Sequence, residues 1–572
     1  MIGFRTEKKR SFWATTAFCG GGALLGTLTL GMQAWATTIP GPADASRLDR
    51  RERLFVPEKD QRPMTMPLQV LPSAKAPEES KSITITIKTV RLVGDCLFPS
   101  EKIRSVYEPY LHKEVTLDTV WTIANLLTKL YRDEGYFLSR VVVPEQGIDD
   151  GIVTFKVIEG YIGTVAFDDP LVQNTIVRAW IDSLLAQRPI KSDQLESVLL
   201  QLNDLPGVRV RAILRPGIGD EGAVQLVLER QDVPMFSGEA SADNYNSRFL
   251  GPYEAVVRMQ AVLWPMHRTS VALLSSLPWE KVKYGSIRHE ISVFPAGTIA
   301  LYGSYTPTTP GYTLRAYDVK SQSTTLGGAL DYALIRQRRE NLTARVAFEW
   351  HKTHTDLLNT VLVEDNTRVM RFSATYQNAD AWHGENSVGA GIAQGLDLFG
   401  ASKVGAPNLS RSDARPDFTK FNLMLSRTQS LPDGWQLRAA LAGQFAIGPL
   451  YSSEQFGYGG QVFGRAYDDS EIMGDHGLAG AVEVRYMDLP SDWKLRVIPY
   501  AFYDRGAVWN AGPTATFKYA SGSSAGIGIR AQTSSGVYGT IGMAFPLTRK
   551  IENPIYGNGK NPRFFAQISF LF

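Results

Sequence analysis

Residues 342–351, with the sequence LTARVAFEWH, alternate between apolar and polar side chains with a period of two. The apolar positions are Leu342, Ala344, Val346, Phe348 and Trp350, and the polar positions include Thr343, Arg345, Glu349 and His351. This alternation predicts a β-strand with two chemically different faces. The core of a soluble sandwich would accept the charges of the polar face only as pairs, whereas a water-filled lumen accepts them readily.

The same pattern recurs from residue 234 to residue 572. Sixteen strand candidates begin near residues 236, 252, 267, 282, 297, 322, 341, 367, 385, 417, 435, 477, 494, 524, 536 and 563. A large sandwich and a propeller are the soluble alternatives. The even count, the strand length of about ten residues and the closing strand that ends on Phe572 favour a transmembrane barrel. We therefore predict a 16-stranded antiparallel transmembrane β-barrel over residues 234–572.

The first 36 residues are typical of a secretory signal peptide. Four basic residues precede an uncharged stretch from Phe12 to Leu30, and Ala34-Trp35-Ala36 provides a cleavage site of the A-x-A type. The alternative is an N-terminal membrane anchor. After the signal there is no run of about 18 apolar residues, so no transmembrane helix is predicted.

Composition excludes several classes of protein. The chain of 572 residues suggests two to four domains, and 51 glycines with 20% charged residues suit a turn-rich β protein rather than a disordered one. The net charge of +3 falls close to zero once the basic signal is removed, which gives a nucleic-acid partner no electrostatic support. Cys96 is then the only cysteine, so no intrachain disulfide and no cysteine metal cluster is expected.

Two small α/β modules precede the predicted barrel. Residues 83–159 predict a strand over 83–87, helices over 99–111 and from a cap at Thr116, and strands over 137–143 and 152–158. Residues 160–233 repeat this β-α-α-β-β order, with a strand over 161–167, helices over 171–186 and 192–202, and strands over 208–214 and 223–229. A repeated order of elements indicates an internal repeat.

Residues 37–82 are polar and rich in proline, and they predict a linker. One helix is expected within residues 44–55, with charges at Arg47, Asp49, Arg50, Arg51, Glu52 and Arg53. These charges suit a helix in a polar lumen and a solvated helix equally well.

A glycine-rich segment at about residues 449–476 interrupts the strand array. It contains Val462, Phe463, Gly464, Arg465, Ala466, Tyr467 and Asp468. A segment of this length is either disordered or functional, and we expect it to fold back into the barrel lumen. Asp504, on the thirteenth strand, has the parity of Arg496 and therefore points into the lumen. Arg465 could alternatively be one of many charges that line the lumen.

Catalytic and metal-binding patterns are weak in this sequence. His351 and His354 are spaced so that a strand directs them to opposite faces, and no third ligand lies near. No Ser/His/Asp arrangement and no phosphate-binding glycine loop follows a strand. We therefore predict no catalytic, cofactor or metal site, and an enzyme is not expected.

Three stretches together resemble one family. A first POTRA domain is suggested by a resemblance in the segment that begins at Leu130-Tyr131, continues through Gly135-Tyr136 and ends at residues 157–160. Residues 202–208 resemble a second POTRA domain. Residues 462–467 are similar to the loop-6 motif of the superfamily, usually Val-Arg-Gly-Tyr. The chain thus resembles the TpsB outer-membrane transporters of two-partner secretion, of the haemolysin secretion/activation type, which share a superfamily with the barrel-assembly protein BamA.

The resemblance implies a function and its partners. It implies export of a large TpsA-type exoprotein, a haemolysin or adhesin, captured by periplasmic POTRA domains and driven by folding outside the cell. It also implies contact with outer-membrane lipid, insertion by the barrel-assembly machinery, a possible plug by the N-terminal helix, and an ion pair between Arg465 and Asp504. A BamA-like insertase and a passive porin are the alternatives.

One residue departs from the family pattern. Ala466 follows Arg465, where glycine is usual. Because alanine disfavours positive φ, the loop either avoids that conformation here or is strained.

Overall fold

The structure is a computed structural model that describes residues 39–54, 75–489 and 495–572. The predicted signal peptide and residues 55–74 of the predicted linker lie outside this part. None of the helices in the described residues has both the length and the apolar character needed to cross a membrane. The first regular element is helix α1 (Ala45–Leu54). Short 3-10 helices occur at Gly41–Ala43, Glu78–Ser82, Glu108–Tyr110, Asp149–Gly151, Pro170–Gln173, Tyr312–Tyr317 and Ser452–Glu454.

The first α/β module is built around helix α3. Its elements are β1 (Thr84–Thr86), β2 (Thr89–Val93), α2 (Ser100–Tyr107), β3 (Glu114–Thr116), α3 (Asp118–Asp133), β4 (Arg140–Val142) and β5 (Ile152–Ile158). Strands β2, β5 and β4 form one sheet with β5 in the centre. The apolar stripe of α3, which includes Ile123 and Leu127, is buried with Val153 and Phe155 of β5. The module therefore has its own small core.

Three details of this module differ from the prediction. The segment over residues 83–87 contributes only a three-residue strand, which pairs with β3 outside the main sheet. Strand β2, which the prediction missed, takes the edge of the main sheet, with Val90 and Leu92 packed toward the core. Thr116 does not cap α3, since Leu117 occupies the cap position and the Thr116 hydroxyl contacts the Asp118 carboxylate.

The second module repeats this plan. It consists of β6 (Tyr161–Phe167), α4 (Thr175–Leu185), α5 (Ser192–Asp204), β7 (Val210–Pro216) and β8 (Ala223–Arg230), with sheet order β6-β8-β7. Helix α4 begins four residues later than predicted, because Asn174 caps it. The Asn174 side-chain oxygen accepts a hydrogen bond from the Ile176 amide at 2.9 Å.

The rest of the chain forms a closed antiparallel barrel of sixteen strands. They are β9 (Phe236–Asp243), β10 (Glu254–Ala261), β11 (His267–Ser276), β12 (Lys283–Phe294), β13 (Gly297–Thr308), β14 (Lys320–Arg336), β15 (Glu340–Leu357), β16 (Thr360–Ala379), β17 (Gly384–Gly395), β18 (Thr419–Ser430), β19 (Trp435–Ile447), β22 (His476–Tyr486), β23 (Leu495–Trp509), β24 (Tyr519–Thr533), β25 (Val537–Pro546) and β26 (Arg563–Leu571). Strand β26 pairs with β9 and closes the ring. A small hairpin, β20 (Phe456–Tyr458) and β21 (Ile472–Gly474), lies between β19 and β22.

The faces of the strands are arranged as the alternation predicts. Outward side chains such as Leu301, Leu326 and Val346 are exposed on the outer wall. Inward positions carry polar or charged side chains such as Glu349 and Asp504, which are buried inside the barrel. The predicted 16-stranded barrel, preceded by two α/β modules, is confirmed.

Candidate functional site

Loop 6, residues 448–475, joins β19 to β22 and folds into the barrel lumen. Its hairpin strands β20 and β21 contact the inner face of β23. Phe456, Tyr458 and Ile472 of the loop are buried in one apolar cluster with Tyr500 and Phe502 of the barrel wall. The loop is therefore an ordered part of the barrel interior.

Arg465 lies against Asp504 on the wall. The Arg465 Nη2 and Nε atoms lie 2.9 Å and 3.1 Å from Asp504 Oδ1 and Oδ2, so that the guanidinium is held by two parallel hydrogen bonds. The backbone amide of Arg465 also donates to Asp504 Oδ2 at 3.1 Å, and the Ser524 hydroxyl donates to the same oxygen at 3.2 Å. A bidentate pair determines the direction of the side chain as well as its position.

A second carboxylate, Glu483, joins this arrangement. Arg465 Nη1 lies 2.5 Å from Glu483 Oε2, and Glu483 also pairs with Arg485 and Arg530 at 2.7 Å each. The Arg465 guanidinium carbon stacks 3.5 Å from the centroid of the Phe502 ring. Three arginines and two carboxylates thus form one network, of which the sequence analysis identified only the Arg465–Asp504 pair.

Burial makes this network sensitive to loss of a partner. The Asp504 side chain is fully buried and that of Arg465 is 9% exposed. A buried charge is tolerated when it is paired and its hydrogen-bonding capacity is filled, and it is costly when one partner is removed. The network can therefore hold loop 6 in one position on the wall.

The remaining residues of the predicted motif have separate roles. Gly464 has φ +80°, and a side chain at this position would meet the Tyr458 ring. Ala466 is fully buried and is not among the residues with positive φ, so the loop avoids the conformation that would strain it. The Tyr467 hydroxyl lies 3.1 Å from the carbonyl oxygen of Ser523. Val462 is exposed and Phe463 packs against the loop cluster.

Tyr458 fits against glycines of the barrel wall. A Cβ atom at Gly506 would lie 2.2 Å from the Tyr458 ring, and one at Gly522 would lie 2.8 Å from it. The ring can approach the wall this closely because these two wall positions have no side chain. Ring and wall therefore determine how deep the loop sits.

Further ion-pair groups hold loop 6, among them those of two loop arginines, Arg248 and Arg411, which the sequence analysis did not identify. Arg248 lies 2.6 Å from Asp468 and 2.8 Å from Glu471. Arg411 Nη1 lies 2.7 Å from Asp475, whose side chain is fully buried. Both arginines are in loops of the barrel, where there is no strand alternation to predict which way a side chain points.

Helix α1 lies inside the lumen. Asp49 accepts hydrogen bonds from the hydroxyls of Ser304 (2.5 Å) and Thr325 (2.8 Å) on the wall. Arg51 pairs with Glu254 of the wall at 2.9 Å, and Arg50 donates to the Gln455 carbonyl of loop 6 at 2.7 Å. The helix thus touches both the wall and the loop. The side chains of Glu52 and Arg53 lie outside the described residues.

The two halves of the first POTRA-like motif meet in the structure. The Tyr131 hydroxyl donates to Glu159 Oε1 at 3.0 Å, and the same oxygen accepts the Leu97 amide at 2.7 Å. Burial, followed by hydrogen bonds with Cys96 and Glu159, raises the pKa of the Tyr131 phenol. These contacts tie helix α3 to the end of β5.

The second motif, residues 202–208, forms the joint between the second module and the barrel. The Pro206 carbonyl accepts the amide of Met266, which lies in the turn between β10 and β11, at 2.7 Å. The Met266 side chain is buried in the core cluster of the second module beside Leu205. Asp204 forms two hydrogen bonds with Arg336 at the end of β14, at 2.5 Å and 2.8 Å.

The histidines form no metal site in the described residues. His351 is buried and lies 2.8 Å from the Thr325 hydroxyl, whereas His354 lies 3.2 Å from Asp356. No group of three or more potential ligands occurs in residues 39–54, 75–489 and 495–572.

Two family models match the chain. The model described as haemolysin secretion/activation protein ShlB/FhaC/HecB matches residues 294–529, and the ShlB-type POTRA domain matches residues 85–160. The chain belongs to the TpsB family of outer-membrane transporters. The transporter is 25% identical over 426 residues to the heme/hemopexin transporter protein HuxB of Haemophilus influenzae. The matched region covers 71% of this chain and 73% of HuxB.

Other relatives agree with this assignment. The transporter is 21% identical over 473 residues to the outer membrane transporter CdiB of Dickeya dadantii, covering 80% of this chain and 82% of CdiB. In fold it is similar to the solved structure of CdiB from Escherichia coli, with a TM-score of 0.68, 17% identity, and coverage of 93% of this chain and 99% of that one. The transporter exports a partner protein across the outer membrane by two-partner secretion, with its POTRA domains in the periplasm.

Proposed function

We propose that this structure is the closed state of the transporter, with α1 as a plug that leaves the lumen before the partner protein passes. The observation that supports this is the position of α1, where Asp49, Arg50 and Arg51 bind groups of the wall and of loop 6. A folded helix and a passing polypeptide cannot share the same space. Export therefore requires withdrawal of α1.

The contacts of α1 suit a reversible plug. Most are hydrogen bonds and ion pairs to polar groups, and water can replace these when the helix leaves. Leu48 is one apolar anchor, buried with Leu250 and Leu274. A mixed interface of this kind holds the helix without making its release prohibitive.

A reversible cross-link between α1 and the wall tests the plug. The Asp49 and Ser304 side chains touch, so that Asp49→Cys and Ser304→Cys together bring two thiols within reach, in a background that carries Cys96→Ser. The oxidised double variant is expected to insert normally and to secrete little partner protein, and reduction is expected to restore secretion.

The single variant Asp49→Cys under the same oxidant is the matched control. If the oxidised double variant secretes as much partner protein as the same variant does after the cross-link is reduced, α1 does not need to leave the lumen.

We further propose that the POTRA domains bind the partner protein in the periplasm. In the first module, β2 and β4 are the edges of the β2-β5-β4 sheet, and an edge strand can accept an extended chain as an added strand. Deleting residues 83–159 is expected to abolish secretion while the barrel still assembles. Normal secretion by the shortened protein would contradict this proposal.

The cargo is proposed to be a large exoprotein of the haemolysin or adhesin type. The description of the matching family model names haemolysin secretion and activation, which supports the first of these. Insertion of the transporter by the barrel-assembly machinery, and folding of the exported chain outside the cell as the driving force, belong to the same proposal.

A further inference from the structure

Arg505 is an arginine on the lipid-facing wall of the barrel. It follows Asp504 on β23, so its side chain points to the opposite face, together with Tyr503 and Trp509. It is exposed, and it forms no ion pair or side-chain hydrogen bond with any described residue. This differs from Arg427, an outward arginine that pairs with Asp380 at 2.5 Å.

The depth of Arg505 makes its charge unfavourable in hydrocarbon. Trp509 and Tyr519 form an aromatic pair at the end of the outer wall away from the second module, and Trp435 and Tyr486 form one at the end near that module. Trp509 is four residues beyond Arg505. With a rise of about 3.4 Å per residue and a strand tilt of about 40°, the Cα atom of Arg505 lies about 10 Å deeper in the membrane than the Cα atom of Trp509. A lipid-facing charge at this depth requires either an extended path to the surface or an anionic partner.

The surroundings of Arg505 leave room for such a partner. Its cross-strand neighbours are Gly480 on β22 and Ser523 on β24, both of which are small. Arg505 lies in an open groove of about 700 Å³ on the outer wall, with apolar lining that includes Leu441 and Tyr503. Arg427 lines the same groove and is paired with Asp380, so Arg505 is the cation there that has no partner among the described residues. An unpaired cation in a largely apolar groove is complementary to a molecule with an anionic head and hydrocarbon chains.

We propose that Arg505 binds the phosphate of an outer-leaflet lipid, with an acyl chain of that lipid in the Leu441–Tyr503 groove. Guanidinium binds phosphate through two parallel hydrogen bonds, which lysine cannot form. The lipid neutralises the charge of Arg505 in the outer wall directly behind Asp504, the residue that holds loop 6 inside. The transporter would thus be anchored to lipid at the strand that carries the loop contact.

The test measures lipid retention by the full-length transporter. Wild type, Arg505→Leu and Arg505→Lys are reconstituted in nanodiscs of phosphatidylcholine with diphosphorylated lipid A, and bound lipids are counted by native mass spectrometry. Arg209→Leu, which removes an exposed arginine from the second module, is the matched control. Heat-dependent gel migration shows whether each barrel is folded.

The expected result is a loss of retained lipid A of about fivefold or more for Arg505→Leu, an intermediate loss for Arg505→Lys and no loss for Arg209→Leu. Excess inorganic phosphate is expected not to displace the lipid. Wild-type retention by a folded Arg505→Leu barrel would overturn the proposal. So would an equal loss of phosphatidylcholine, or displacement of lipid A by free phosphate. If Arg505→Leu does not fold, unchanged retention by Arg505→Lys overturns it.

Discussion

The Asp504 carboxylate is the most buried charge of the loop-6 contact, and its partners could be only partly predicted from the sequence. Parity along β23 correctly placed Asp504 on the inner face, and the family resemblance implied Arg465 as its partner. Glu483 was missed because alternation gives the face of a residue and not its neighbours across strands. The register pairs Ala481 with Asp504 and Glu483 with Phe502, which brings Glu483 within reach of Arg465.

Removing Arg465 is expected to release the loop and destabilise the barrel. In Arg465→Ala, Arg485 and Arg530 still neutralise Glu483, but Asp504 keeps only the Ser524 hydroxyl and the backbone amide as partners. Breaking a buried pair costs about 3–5 kcal/mol, so the urea midpoint should fall clearly. We expect the barrel to insert but to secrete poorly, measured as secreted partner per unit of surface-exposed transporter.

The matched control for this prediction is Arg268→Ala. It removes another lumen-facing arginine, one that pairs with Glu290 at 2.7 Å far from loop 6. Unchanged secretion by Arg465→Ala at normal surface levels would show that the ion pair does not support export.

At the scale of elements, strands were predicted better than caps and loops. Alternation over some ten residues is a long signal, and fourteen of the sixteen barrel strands begin within two residues of the predicted position. Strands β16 and β24 begin seven and five residues earlier than predicted. The short strand β2 escaped because five residues give a weak pattern. The location of α1 was undecidable, since its charges suit water and a polar lumen equally, and only its contacts with Ser304 and Gln455 distinguish the two.

Loop 6 as an element depends on the close contact between Tyr458 and the wall. In Gly506→Ala the new Cβ atom would lie 2.2 Å from the Tyr458 ring, so the ring and the hairpin must move away from the wall, toward the centre of the lumen. Overpacking of this kind costs about 1–3 kcal/mol. We expect weaker near-ultraviolet circular dichroism from tyrosine and faster proteolysis within loop 6.

Gly443→Ala provides the comparison for this variant. Gly443 lies on the outer face of β19, and an added Cβ atom there would have only ordinary contacts, the nearest at 3.6 Å. Equal proteolysis of loop 6 in the two variants would contradict a specific role of the Tyr458 contact.

At the scale of the whole molecule, the second module is joined to the barrel through its own core. No sequence pattern predicts this, because Met266 lies in a turn and its partners come from a different domain. The motif at residues 202–208 was noticed for its family resemblance, and the structure gives it a physical role as the surface that receives the turn.

Shortening Met266 is expected to loosen this joint. Met266→Ala removes a buried side chain from the core of the second module, which costs about 2–5 kcal/mol. Protease cleavage between β8 and β9 should become faster. Met259→Ala, at an exposed outward position on β10, should leave that cleavage rate unchanged. A cleavage rate equal to wild type in Met266→Ala would mean that the joint does not depend on this contact.

Export of one partner through a pore that α1 closes is the central claim, and secretion in a strain that lacks this gene tests it most directly. The culture supernatant is compared between this strain and strains complemented with wild type or with the Asp49→Cys/Ser304→Cys variant under oxidising conditions. The account predicts the loss of one large exported protein, its return with wild type and its continued absence with the cross-linked variant, while other outer-membrane barrels stay at normal levels. An unchanged supernatant, a general loss of outer-membrane barrels, or full secretion by the cross-linked variant would contradict it.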